Sequence, residues 1–211
     1  TGTSSISERP KANTMIGYRA GKTTGDGRHN TFVGFDAGID NTTGIGNVSV
    51  GALSYEGTTG SGNTAMGMYA LSGVVTGDYN TGLGYSALDS ITSGTYNVAV
   101  GNNALKSMTT GSSGVAVGWK AGYYMTVGKT VAVGTEAYYT GTSTDDSVFI
   151  GNRAGFNVTT GYTNVIIGDR AGEDDLTTGY ANVAVGYKAG RHMTGFANAF
   201  VGSGAGSDNT G

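Results

Sequence analysis

A chain of 211 residues ordinarily makes one globular domain, but 40 glycines, one proline and only 13% charged residues do not describe an ordinary core. The formal charge of −3, with 12 Lys and Arg against 15 Asp and Glu, offers no basic stripe for a nucleic-acid backbone. No apolar run approaches the about 18 residues that crossing a bilayer needs, and the absence of cysteine removes disulfide and thiol chemistry while leaving the compartment open.

The opening stretch TGTSSISERPKA carries no signal-peptide pattern and reads as a flanking segment over 1–12. From Asn13 onward one phrase recurs twelve times: "NTMIGYRAG", "NTFVGFDAG", "NVSVGALSY", "NTAMGMYAL", "NTGLGYSAL", "NVAVGNNAL", "GVAVGWKAG", "TVAVGTEAY", "SVFIGNRAG", "NVIIGDRAG", "NVAVGYKAG" and "NAFVGSGAG". The phrases are anchored on Gly17, Gly34, Gly51, Gly67, Gly84, Gly101, Gly118, Gly134, Gly151, Gly168, Gly186 and Gly202, a step of 17 residues with slips to 16 or 18. A short fixed period predicts a solenoid, whose units are too small to bury a core alone and must stack. The closing SDNTG resembles the IDNTTG that ends the second repeat, so 13–211 is expected to be a single repeat domain cut from a longer array.

Within each phrase the β-branched pair before the glycine predicts a short strand. The positions three and one before the glycine, such as Val98 and Val100, share one strand face. The position between them lies on the other and is small or apolar and never charged, as in Phe32, Ala99, Phe149, Ile166 and Phe200. Three residues after the glycine stands Ala in eleven copies and Ser54 in the other, which predicts a tight corner. Stretches such as "KSMTTG", "FNVTTG", "EDDLTTG" and "DSITSG" predict a second, weaker strand and another turn. The Asn that opens nine copies suits a corner and can stack as a ladder on the Asn of the next coil. Twelve parallel coils at about 4.8 Å make a rod of roughly 55 Å. An interior this thin offsets the ordering of its residues poorly, so the uncharged face with Met15, Phe32, Phe149, Ile166 and Phe200 is expected to be covered by self-association.

The phrase N-[TV]-A-[VI]-G-x-x-A, repeated over residues 13 to 206, resembles the head repeats of trimeric autotransporter adhesins and related repeats in bacteriophage tail fibres and other bacterial trimeric fibres. The resemblance implies an all-β, left-handed parallel β-roll, three parallel chains forming one trunk, and attachment to a glycan or protein receptor on a cell surface. It rests on structural positions, among them Val98, Val100, Gly101 and Ala104. The usual head repeat is shorter, the extra residues here falling in stretches such as "KSMTT", and the segment has neither a heptad stalk nor a membrane anchor.

Reactive constellations are scarce. "GYRAGKT" (Gly17 to Thr23) has three residues between its glycines where a Walker A loop has four, and "GWKAGYY" and "GYKAGRH" occupy the same place in other repeats. His29 and His192 lie nearly ten coils apart, too far for a shared metal or proton relay within one chain. The acidic runs at Asp145 and Asp146 and at Glu173, Asp174 and Asp175 lack the glycine and aspartate repeat of calcium-binding rolls. The expectation is a non-enzyme without cofactor or metal. Recurring "TTG" turns, such as Thr42 with Thr43 and Thr109 with Thr110, would stack into Thr ladders, which keeps ice binding open as a further class. The leading expectation is a homotrimeric adhesin or fibre segment outside a bacterial cell or on a virion, and the alternative is a passive spacer. Three consecutive copies lack the opening Asn (Gly114, Thr130 and Ser147) and overlap the densest aromatic cluster, Trp119, Tyr123, Tyr124, Tyr138 and Tyr139, which is the candidate ligand-binding platform.

Overall fold

The computed structural model describes residues 11–126, 128–142, 146–174, 176 and 178–207, so 1–10 of the expected flanking segment lie outside the described residues. It contains twelve three-residue strands: β1 (Thr14–Ile16), β2 (Thr31–Val33), β3 (Val48–Val50), β4 (Thr64–Met66), β5 (Thr81–Leu83) and β6 (Val98–Val100) form its first half. The second half holds β7 (Val115–Val117), β8 (Val131–Val133), β9 (Val148–Ile150), β10 (Val165–Ile167), β11 (Val183–Val185) and β12 (Ala199–Val201). They form one parallel sheet in strict sequence order, each strand paired to the next without slippage, as Val98 with Val115 and Val165 with Val183. The chain is therefore an all-β parallel β-solenoid with one strand per coil.

The repeat phrase fixes this geometry residue by residue. At Gly101 φ is +132°, and a Cβ there would stand 2.4 Å from the carbonyl oxygen of Gly118, so only glycine lets consecutive coils approach at this corner. The alanine that follows turns the chain inward: Ala104 is fully buried, and its amide donates to Gly101 O at 3.3 Å. The Asn ladder forms as the sequence predicts. The side chain of Asn80, fully buried, accepts from the backbone N–H of Asn97 at 3.1 Å, and its Nδ2 donates to Gly94 O at 2.8 Å. Through the copies without Asn the ladder changes its members: Gly114 N–H still donates to Asn97 Oδ1 at 2.8 Å, and Ser147 Oγ accepts from Asn164 N–H at 3.0 Å.

Two expectations are corrected. The middle strand row does not await a partner. Phe32, Ala99, Phe149 and Ile166 are fully buried inside their own chain, because the Ala corner and the return segment fold back over that side. Tyr138 stacks on Phe149 at 4.6 Å between centroids, and Leu71, Leu88, Leu105, Ile91, Met108 and Met125 fill the remaining interior. It is the flanking rows, with Val98 and Val100 among them, that point outward and stay half-exposed.

The second strand is also absent among the described residues. Asn103 and Leu105 take positive φ (59° and 49°), which bends the return segment into successive turns instead of an extended strand. Its apolar members Ile91, Met108, Val158 and Leu176 are buried as strand-facing residues would be. The coils remain hydrogen-bonded there, Thr92 N–H donating to Thr109 O at 2.8 Å, and an isolated bridge joins Arg28 to Ile45.

Candidate functional site

The expected aromatic platform divides on folding. Tyr138 is sealed in the core against Phe149 and takes no part in a surface. The other four stand outside, on the corner and return segment that follow β7 and β8. Tyr123 and Tyr139 occupy the same position, five residues after the glycine, in successive coils, so stacking the coils stacks their rings at 5.4 Å between centroids. Tyr124 meets both edge-on, at 4.7 Å from Tyr123 and 5.4 Å from Tyr139. Phe156, which the sequence reading leaves out although it holds that same position one coil on, extends the stack from Tyr139 at 5.0 Å and 10°.

Cations complete the patch. Lys120 Nζ lies 4.4 Å over the Trp119 ring and within 6 Å of Tyr123 and Tyr139, at 5.8 and 5.6 Å, while the Arg153 guanidinium stands 4.2 Å over Phe156. Burial among the rings, with Tyr124 beside it, pushes the Tyr139 phenol above its ordinary range, so the group stays neutral through physiological pH. Trp119 and Tyr124 are the most open members, at 45% and 44% exposure. Most ring faces in the stack are taken by neighbouring rings or cations, so what the patch offers a ligand is Trp119, ring edges, hydroxyls and the Lys120 ammonium.

A second aromatic ladder precedes the last strands: Tyr162, Tyr180 and Phe196 stack at 4.9 Å per step with planes 2° apart. Period alone signals it, since all three stand six residues before their glycines. Larger than either ladder is the outer face of the sheet. Its third strand position leaves Ile16, Met66, Val117, Ile150 and Val201 exposed. The row beside it, one residue after the glycine, adds exposed Tyr18, Phe35, Met68, Tyr85, Trp119 and Tyr187. Trp119 thus belongs to the rim of this face as well as to the aromatic patch.

The remaining sequence candidates serve the stack. Thr42 Oγ1 donates to Thr58 O at 2.7 Å and Thr92 Oγ1 to Thr109 O at 3.0 Å, so the ladder hydroxyls clamp coil to coil. Glu173 is nearly buried and held by arginines, 2.9 Å from Arg153 Nε and 3.6 Å from Arg191 Nε. Asp174 pairs with Arg191 at 2.6 Å, and Asp145 and Asp175 lie outside the described residues. Among the described residues no group of three or more His, Asp or Glu gathers where it could hold a metal ion. Among the same residues no helix is long and apolar enough to cross a membrane. Compared with protein-family models, curated proteins and solved structures, the chain matches none.

Proposed function

We propose that this chain is a segment of a trimeric extracellular fibre, on a bacterial surface or a virion, that carries or forms a surface for attachment to cells. One observation carries the reading. Parallel sheets are ordinarily covered on both faces, yet the outer face of this one is a strip of Val, Ile, Leu, Met and Thr roughly 55 Å by 10 Å, broadened by the aromatic row beside it. A strip of about 550 Å², before that row is added, stands at the upper end of the apolar patches that monomers leave open, and patches of this size are often functional. Three copies packed about a common axis, each turning this face inward, cover it along its whole length. The likeness of the repeat phrase to trimeric adhesin heads supports the same arrangement and a left-handed winding.

In the trimer the charged and aromatic return segments face outward, and the patch of Lys120, Tyr123, Tyr124 and Tyr139, with Trp119 at its margin where the aromatic row meets the trimer seam, is the place of contact with a surface glycan or protein. Near-uniform coils with ring faces used in stacking favour the second reading, a spacer that sets fibre length. Light scattering on the purified chain tests the assembly and should give about three times its 21.2 kDa mass; a stable monomer removes the trimer. Cell and glycan binding of Trp119→Ala/Tyr124→Ala then separates adhesin from spacer. Loss of binding with the trimer intact supports the first, and unchanged binding, or no binding by the parent chain, supports the second.

A further inference from the structure

A rod of near-identical coils poses a register problem. The outer strip is Val, Ile, Leu, Met or Thr at almost every height, so copies packed on it could slide by one coil, about 4.8 Å, with little change in apolar contact. The corners that bracket the strip differ from coil to coil. Each strand lies between two left-handed residues, a leading one five positions before the anchoring glycine and a trailing one two positions after it. Around β8 these are Lys129 and Glu136, at φ +60° and +53°, and around β9 they are Asp146 and Arg153, at +56° and +53°. Of the leading residues, Ala12 to Ala197, only Lys129 and Asp146 carry a formal charge, His29 aside. Each has the opposite sign at the trailing corner of its own coil, and the order of signs reverses between the two coils. Lys129 and Asp146 are exposed and Glu136 is half-buried, and among the described residues none of the three has an ion-pair partner in its own chain. Arg153 meets Glu173 through Nε at 2.9 Å and stays 35% exposed, with further guanidinium donors beyond that contact.

We propose that these four residues set the register between copies, Lys129 of one chain against Glu136 of the next and Asp146 against Arg153. The inference rests on the trimeric reading above. Rotation about an axis along the rod leaves every coil at its own height, so three copies with their sheet faces inward bring the leading corner of one chain to the trailing corner of the next at the same coil. Opposite charges then meet in both coils of all three seams. A slip of one coil in one direction sets Lys129 against Lys120 and Asp146 against Glu136, two like-charge contacts. A slip in the other direction sets Lys129 against Arg153, and only Asp146, now facing Arg170, keeps a partner. The aligned arrangement alone satisfies both pairs. Charges beside an otherwise uniform apolar seam act here as they do beside the seam of a coiled coil, by penalising the wrong alignments.

Zero-length carbodiimide cross-linking of the full chain, with light scattering on the same samples, tests this. The reagent should fuse chains into covalent dimers and trimers, and peptide mapping should find an amide between Lys129 and Glu136 in those species but not in the band of single-chain mass. In Arg153→Lys the reagent should also join Asp146 to position 153 of another chain. Lys129→Glu and Glu136→Lys should each keep the parent's circular dichroism spectrum and lower the trimer's assembly constant by roughly tenfold or more, because each change enters three seams. The exchange Lys129→Glu/Glu136→Lys should restore assembly. A parent that is monomeric in light scattering overturns the register together with the trimer. A trimeric parent in which Lys129 joins a carboxylate of another coil, such as Asp169, or joins none between chains, overturns the register alone. So do single reversals that leave assembly unchanged, or an exchange that fails to restore it.

Discussion

A Cβ built on Gly155 would lie 2.2 Å from Cδ1 of Phe149, six residues earlier in the same coil. The two positions share one volume. Where the strand contributes a large residue the corner contributes glycine, as in Phe32 with Gly38 and Ile166 with Gly172. Where the strand is small the corner is usually large, as in Ala99 with Leu105 and Ala132 with Tyr138, whereas beside Ala116 with Gly122 and Ala184 with Gly190 the space is entered by Leu105 and Phe200 of the adjacent coils. Phe149→Ala should therefore open a cavity costing about 3–5 kcal/mol, and Gly155→Leu should clash with the ring and strain a backbone held at φ +59°. The double variant, which recreates the Ala99 and Leu105 pairing, should recover a large part of both losses because Leu105 itself sits at φ +49°. Chemical denaturation of all four proteins checks it, and additive losses would refute the shared volume.

Ile166→Asp and Met66→Asp should fail in different ways. Ile166 is fully buried within its chain, so a carboxylate there costs several kcal/mol and should lower the unfolding temperature sharply. Met66 is 46% exposed on the outer face. Its substitution should leave the circular dichroism spectrum intact and release single chains in light scattering. Unfolding by Met66→Asp, or a trimer indifferent to it, would argue against lateral packing on this face.

The Asn ladder predicts a graded series. Asn80→Ala strips partners from Asn97 N–H and Gly94 C=O inside the solenoid, which should cost about 1–3 kcal/mol for each group left unsatisfied. Asn80→Ser should lose less, since Ser147 shows that a serine hydroxyl in this column still receives the next coil's amide. Equal losses for Ala and Ser in thermal denaturation would remove the acceptor from the explanation.

Hydrogen bonds from Arg19, with Nε 2.7 Å from Oδ1, hold the Asp36 carboxyl below the usual aspartate range. A depressed folded pKa stabilises at pH values above the unfolded aspartate pKa of about 4, and the contribution is lost as pH falls through the lower folded value. Asp36→Asn should therefore be less stable than the parent near neutrality, and the gap should close in acid. A gap independent of pH would assign the effect to packing alone.

Much of this fold is legible before folding because each coil repeats its neighbours' problem. The period, the glycine corner, the buried alanine and the Asn ladder are local requirements, and a requirement repeated in every coil is written in most or all of the twelve copies. The sequence also brings Tyr123 and Tyr139 together, since one coil position in consecutive repeats must become adjacent in space. What it left undecided is which side of each strand is inside. Two-residue alternation separates Ile166 from Val165 and Ile167 but treats both faces alike, and only the path of the return segment, bent by positive φ at residues such as Asn103 and Leu105, closes the coil over Ile166. The same closure placed Tyr138 in the core while its chain neighbour Tyr139 stayed at the surface, a distinction set by the volume that Ala132 leaves empty beneath it. Burial depends on what folds back across a side chain, and that partner lies a turn away in the chain.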